Sequence, residues 1–139
     1  MSPKEIIDTM MTDDKMSQWL GIEVLNYDPG SVSLKMTVRD EMVNGFGVTH
    51  GGITYCLADS ALAFSANSHG KRSMSIETSI SHLNKVQTGD VLTVHTKELS
   101  LSRKVGVYEM DVYNQKKDLV AHFKGTVYRS DKAWEIKNA

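Results

Sequence analysis

Hydrophobic and polar residues alternate along several segments of this chain, and the alternation predicts strands. Residues 32–38 place valine, leucine, methionine and valine at every second position, with a polar residue between each pair. A period of two is typical of a strand with one buried face. Turn-forming residues separate the other β-prone runs. These further predicted strands are residues 22–27, 73–83, 91–101, 105–113 and 119–128.

A helical period replaces the alternation at the N-terminus and in the middle of the chain. Ser2-Pro3-Lys4-Glu5 supplies a capping serine, a proline at the first helical position and a glutamate for a capping box. We expect this helix to reach about residue 11 and a second short helix to end at Gly21. From Gly51 to about Ser68, apolar residues recur at helical spacing among alanines, which favours a helix buried on several sides. The pattern predicts an α+β fold in which an antiparallel sheet wraps around one central helix.

Length and composition narrow the class of protein. The 139 residues suit one domain (1–139), with a helical segment at about 1–20 and a polar tail at about 131–139. The net charge of −1 is evenly spread, which argues against nucleic acid or an anionic membrane as partner. We expect a cytoplasmic protein, because no apolar run approaches about 20 residues and no secretory signal is evident. The single cysteine cannot form an internal disulfide, and the five histidines show no metal-ligand spacing.

Candidate chemistry lies where the central helix begins. Residues 44–52 form a glycine-rich approach to the helix, and Asp59 follows two turns later. Unpaired N–H groups at a helix start, such as that of Gly52, polarise a carbonyl or anionic oxygen. An isolated acid in an apolar helix is costly unless it has a function. The combination suggests acyl transfer or hydrolysis, whereas Cys56 lacks a basic partner and is interpreted as a packing residue.

Several motifs together resemble one family, the hotdog-fold acyl-CoA thioesterases of the PaaI type, which is named for phenylacetate degradation. The resemblance covers roughly residues 17–129. It implies a hotdog fold, in which the sheet wraps the central helix. The motifs are Met42-Val43-Asn44-Gly45, His50-Gly51-Gly52, Leu57-Ala58-Asp59-Ser60-Ala61, Asn67-Ser68-His69-Gly70, Ser75-Ile76-Glu77, Gly89-Asp90 and Gly106-Val107-Tyr108.

The resemblance implies a role for each candidate catalytic residue. Asp59 would act as general base toward water or attack the thioester carbonyl directly, and both routes stay open. The Gly52 N–H would polarise the carbonyl oxygen, and His50 would shape that site through a hydrogen bond. Asn44 would orient water or stabilise its loop. Ser75 would come from a neighbouring subunit and position water near the acid.

The resemblance also implies an aryl-acetyl or medium-chain acyl-CoA as the substrate, with coenzyme A as part of the substrate and no separate cofactor or metal. Gly51 would lie beside the thioester, and Phe46 would line the acyl site. Lys85, Arg103 and Lys104 would meet the phosphates of coenzyme A. One departure affects the first of these bases, because many relatives have Leu-Arg-Pro where this chain has Leu83-Asn84-Lys85.

The resemblance further implies a homo-oligomer, a dimer or dimer of dimers, with active sites between subunits. Pairing two sheets edge to edge would cover the edge that a single sheet leaves open. Two other functions remain. A hotdog hydratase or dehydratase would need a second histidine–acid pair, which is not evident. A non-catalytic acyl-CoA sensor would use the same groove for binding alone.

Overall fold

A computed structural model, which describes residues 1–135, contains three α-helices, one short 3-10 helix and six strands. In chain order the helices and the first strands are α1 (Pro3–Asp13), α2 (Lys15–Leu20), β1 (Glu23–Val24), β2 (Ser33–Thr37), the 3-10 helix (Asp40–Met42) and α3 (Gly51–Asn67). The remaining strands are β3 (Lys71–His82), β4 (Val91–Leu101), β5 (Val105–Tyr113) and β6 (Leu119–Ala133). The predicted α+β class is confirmed.

One six-stranded sheet, in the order β1-β2-β4-β5-β6-β3, curls around α3. Every neighbouring pair is antiparallel. The alternation predicted for residues 32–38 holds, since Val32, Leu34, Met36 and Val38 are all buried. The helix approaches the sheet closely at Gly125, where an added Cβ would lie 2.5 Å from a methyl carbon of Leu62. The predicted hotdog architecture, a sheet wrapped around one central helix, is confirmed.

The first strand is shorter than its sequence pattern predicts. Residues 22–27 were expected to form a strand, but only Glu23–Val24 pair in a ladder with β2. The Asn26 side chain accepts a hydrogen bond from the Asp28 N–H at 3.3 Å, so the backbone turns there. Local side-chain bonding thus ends β1 early.

The last strand is longer than predicted. β6 continues to Ala133, which pairs with Lys71 at the start of β3. The Trp134 N–H then donates to the Gly70 carbonyl at 2.9 Å. Residues 131–134 are therefore fixed against the start of β3, where a polar tail was expected. The rest of that expected tail, from residue 136, lies outside the described residues.

Strand β3 forms one edge of the sheet, and its outer side has no neighbouring strand within residues 1–135. The side chains of Met74 and Ile76 are 70% and 63% exposed on this edge. A strand edge that has no neighbour is a site where another strand can pair. No helix in the described part of the chain has the length and apolar character needed to cross a membrane.

Candidate active site

A compact loop leads into α3. Val43 and Thr49 form an isolated antiparallel bridge, and the Asn44 N–H donates to the Val48 carbonyl at 2.7 Å. The Asn44 side-chain oxygen accepts from the Phe46 N–H at 2.9 Å. The asparagine therefore holds its own loop together, which is one of the two roles predicted for it.

His50 is the N-cap of α3, and its Nδ1 atom accepts a hydrogen bond from the Gly52 N–H at 3.0 Å. A ring nitrogen that accepts in this way is unprotonated, so in the neutral imidazole the proton is on Nε2. The Gly52 amide, expected to polarise a substrate carbonyl, is thus already engaged. His50 in turn has its Nε2–H available as a donor beside the helix start.

Two further candidate residues, Asp59 and Ser75, line one cavity of about 230 Å³. They meet because β3 runs beside α3 in the opposite direction. The ring of Tyr55 on α3 reaches Thr78 on β3 through its hydroxyl, and Asn67 at the end of α3 bonds the backbone of Ser73. Within one chain Ser75 thus lines the same cavity as Asp59, and the serine from a neighbouring subunit that the resemblance implied stays a prediction.

Asp59 lies in a setting that disfavours its ionised form. Burial raises the pKa of its carboxyl group, and the negative charge of Asp14 raises that pKa further. Within residues 1–135 no protein group donates a hydrogen bond to Asp59. Asp14 is itself held as the N-cap of α2, where it accepts from the backbone N–H and hydroxyl of Ser17. An acid with a raised pKa in an apolar cavity can take up a proton during a reaction.

Cys56 lies one turn before Asp59 on α3. Burial raises the pKa of its thiol, and the charge of Asp59 adds to that effect. A thiol with a raised pKa is a weak nucleophile. The interpretation of Cys56 as a packing residue is therefore consistent with its surroundings.

Within one chain, Gly51 at the start of α3 and Asp59 are too far apart to act on the same thioester carbonyl. Gly51 and Asp59 are eight residues apart on a single helix, which separates them by about 12 Å along its axis. A thioester carbonyl polarised at the helix start would be out of reach of an Asp59 carboxylate in the same subunit. A site that uses both groups must combine two copies of the chain.

The predicted phosphate-binding bases are also divided between two regions. Lys85 lines a cleft of about 420 Å³ together with Gly51 and His82, beside the start of α3. Arg103 lies at the opposite end, where its side chain approaches Asp131 at 3.5 Å. Lys104 is in the same turn, and its carbonyl accepts from the Arg129 N–H. Within one chain, the three bases do not surround a common phosphate.

Sequence reasoning did not find every residue that lies near Asp59. Phe46, which was predicted to line the acyl site, is 93% exposed at the loop tip and lies outside the cavity that holds Asp59, so its role stays a prediction. Met10 and Met74 instead lie beside Asp59 in its cavity. No local signal marks either methionine, because they come together only when α1 packs near the start of β3.

Comparison with known proteins agrees with this architecture. Residues 46–121 match the model of the thioesterase superfamily. The chain is 38% identical to a putative esterase of Archaeoglobus fulgidus over 126 residues, which are 91% of this chain and 82% of that protein. It is 33% identical to the acyl-coenzyme A thioesterase PaaI of Escherichia coli over 120 residues, or 86% of each protein.

Solved structures show the same likeness. The structure of E. coli PaaI matches with a TM-score of 0.91 at 30% identity, over 94% of this chain and 95% of that one. The smu.793 protein of Streptococcus mutans, solved bound to acetyl CoA, matches with a TM-score of 0.78 at 26% identity. That match covers 81% of this chain and 91% of the other.

Proposed function

Since the chain belongs to the thioesterase superfamily, we propose that it is an acyl-CoA thioesterase, which hydrolyses a CoA thioester to a free acid and coenzyme A. The observation that carries this proposal is the half-buried Asp59 carboxyl group, which lines one cavity together with Ser75. The activity named for PaaI and the acetyl CoA bound to the smu.793 protein support the same substrate class.

In the proposed reaction, the ionised Asp59 accepts a proton from a water molecule that the Ser75 hydroxyl helps to orient. The water oxygen attacks the thioester carbon, and the carbonyl oxygen takes the negative charge. When the carbon–sulfur bond breaks, the sulfur leaves with the electron pair and receives the proton from Asp59. Direct attack by the Asp59 carboxylate, giving an anhydride that water then cleaves, is the second route to the same products.

The start of α3 supplies the groups that stabilise the carbonyl oxygen. The helix dipole and the N–H groups of its first turn favour negative charge there, and the Nε2–H of His50 adds a donor. We assign this role to Gly51, Gly52 and His50 together, because the Gly52 amide is shared with His50 Nδ1. Asn44 contributes by fixing the loop that presents these groups.

These donors act on a thioester at the Asp59 of a second chain, because about 12 Å separates the two groups within one helix. The exposed edge of β3 is the surface through which two copies pair, which gives a homodimer or a dimer of dimers with sites between subunits. Lys85, which lies near Gly51, would meet the phosphates of a coenzyme A bound at the helix start. Arg103 and Lys104 would reach those phosphates only from another subunit.

The test is release of thiol from a panel of CoA thioesters that includes phenylacetyl, hydroxyphenylacetyl, benzoyl and straight-chain acyl groups. Asp59→Asn should lower kcat by at least ~100-fold, because it removes the base or nucleophile. Asp28→Asn makes the same change at an exposed site and should retain the wild-type rate. A near-full rate in Asp59→Asn would contradict the mechanism. Tight binding of acyl-CoA without turnover by the wild-type protein would identify a sensor.

The proposal includes a cytoplasmic location and a reaction that needs no metal or cofactor besides the substrate. Water, Asp59 and the donors at the helix start supply every proton and charge in the scheme above. Dialysis against a chelator should therefore leave the rate of thiol release unchanged.

A further inference from the structure

A groove continues outward from Asp59, and its parts come from four elements of the fold. The cavity of about 230 Å³ that holds Asp59 adjoins a larger one of about 430 Å³. Both are lined by Met10, Asn67, Ser73 and Met74, so the two cavities meet at these residues. We call the two adjoining cavities together the Met10 groove, because Met10 lines both.

The Met10 groove is mostly apolar along its length. Leu62 and Val127 line it next to Asp59, and Met10 and Met74 line its middle. Tyr128 and Trp134 line its outer part. Apolar walls that start at a reactive carboxylate are suited to the hydrocarbon part of a substrate.

Trp134 forms a fixed wall at the outer end. Its Nε1–H donates to the Asn67 side-chain oxygen at 2.8 Å, and its backbone N–H donates to the Gly70 carbonyl at 2.9 Å. The guanidinium carbon of Arg72 lies 4.6 Å from the centre of its ring. The indole is thus fixed by Asn67 and Arg72 and its backbone by Gly70, so Trp134 limits the length of a ligand.

The length of the groove follows from α3, which runs beside it. Asp59 lines its inner end and Asn67 lines the junction, and eight residues of helix between them span about 12 Å. An acyl chain whose carbonyl is at Asp59 would therefore extend past Met10 toward Trp134. A short acyl group would occupy only the inner cavity.

The charges at the outer end point to an uncharged tail. Arg72 and Lys132 lie there, but Asp13 and Glu135 accompany them around Trp134. Because acids and bases balance, this end offers no net charge that would select an anionic group. An alkyl or aryl tail fits both the walls and the end.

We propose that the Met10 groove binds the acyl tail of the substrate and that Met10 and Trp134 set its preferred length, favouring a medium-chain group. This rests on the proposed thioesterase function. Both residues lie outside the segment 46–121 that matches the superfamily. Acyl selectivity is then a property that the terminal segments of this chain add to the common fold.

The experiment compares kcat/KM for acetyl-, hexanoyl-, decanoyl- and palmitoyl-CoA in the wild type and three variants. Met10→Trp should block the junction and lower the decanoyl-to-acetyl ratio at least ~30-fold, because each methylene kept out of an apolar site costs a factor of about 4. Trp134→Ala should open the outer end and raise the palmitoyl-to-decanoyl ratio. Met16→Trp adds the same indole on α2, where Met16 is 52% exposed, and should leave every ratio unchanged.

Unchanged ratios in folded Met10→Trp and Trp134→Ala would overturn the proposal. A parallel rise in KM for all four thioesters would also overturn it, because the groove would then hold the coenzyme A part. If the wild type hydrolyses none of them, the proposed function fails by itself. Calorimetric binding of decanoyl- and acetyl-CoA then tests whether the Met10 groove binds the acyl tail. Loss of the preference for decanoyl-CoA in Met10→Trp supports the proposal, and an unchanged preference overturns it.

Discussion

The pKa of the Asp59 carboxyl group depends on the residues around the candidate site. Burial and the charge of Asp14 both raise its pKa. Asp14→Asn keeps a good N-cap for α2 but removes the negative charge. The pKa of Asp59 should fall, and the acid limb of the pH profile of kcat/KM should move to lower pH. Asp28→Asn is the matched control, and a limb that stays in place would exclude Asp14 as a cause.

Asp59 should also lower the free energy of unfolding at neutral pH. A carboxyl group whose pKa is raised by folding favours the folded state while it is protonated, and that contribution is lost as the pH rises through the folded pKa. At pH 7 the ionised Asp59 is therefore a penalty that asparagine avoids. We expect Asp59→Asn to melt above the wild type at pH 7, with the difference shrinking as the pH approaches about 4. Calorimetric melting across this range is the measurement, and a lower melting temperature at pH 7 would contradict the prediction.

Among the elements, α3, β3 and β6 are joined at one buried side chain, Asn67. Its amide nitrogen donates to the carbonyls of Ala63 and Ser73, and its oxygen accepts from the Ser73 N–H and from Trp134. All of its hydrogen-bonding capacity is thus used where the two cavities of the Met10 groove meet. The asparagine orders the outer groove through Trp134.

Asn67→Ala removes four hydrogen bonds of a buried side chain and leaves their partly buried partners unsatisfied, so it should lower the free energy of unfolding by about 2–4 kcal/mol. Urea unfolding followed by circular dichroism measures this loss. Asn26→Ala removes one hydrogen bond of 3.3 Å at the surface and should change stability by no more than about 0.5 kcal/mol. Equal effects of the two variants would show that Asn67 has no special role.

The sequence predicted elements well where the local pattern decides them. The bounds of β4 and β5 and the start of α3 agree with the predicted residues, because alternation and the glycine-rich cap are local signals. The sequence did not predict the end of β6, because pairing with another strand sets that end. β6 extends because Lys71 pairs with Ala133. In the candidate site, the helical pattern drew attention to Asp59 and the family resemblance to Ser75, and both roles stay predictions. The bond between His50 and Gly52 and the two methionines near Asp59 depend on three-dimensional packing.

At the scale of the whole molecule, the exposed edge of β3 should join two copies. Ile76→Lys places a charge on that edge, whose burial in a dimer would be costly, and should weaken the dimer by about tenfold or more. Light scattering over a concentration series measures the change. Leu25→Lys makes the same substitution beyond β1, where Leu25 is 48% exposed, and should not affect assembly. An active wild-type monomer would rule out a shared site.

A shared site also predicts that two inactive variants restore each other. Asp59→Asn lacks the acid, and the double variant Asn44→Ala/His50→Ala lacks the loop groups. In a mixed dimer, one site takes an intact acid from one chain and an intact loop from the other. Co-expression should therefore recover about a quarter of the wild-type rate, since half of randomly formed dimers are mixed and each has one intact site. No recovery in purified mixed dimers would mean that each site lies within one chain.

The position of Trp134 also gives the protein an optical reporter. Its indole closes the outer groove and contacts Arg72, so a tail that reaches it displaces water from the ring. The chain has one other tryptophan, Trp19, which is 45% exposed on α2. In a Trp19→Phe background all tryptophan fluorescence comes from Trp134. A long acyl chain should shift that emission to shorter wavelength and a short one should not, so occupancy can be followed in real time without any cleavage of the thioester.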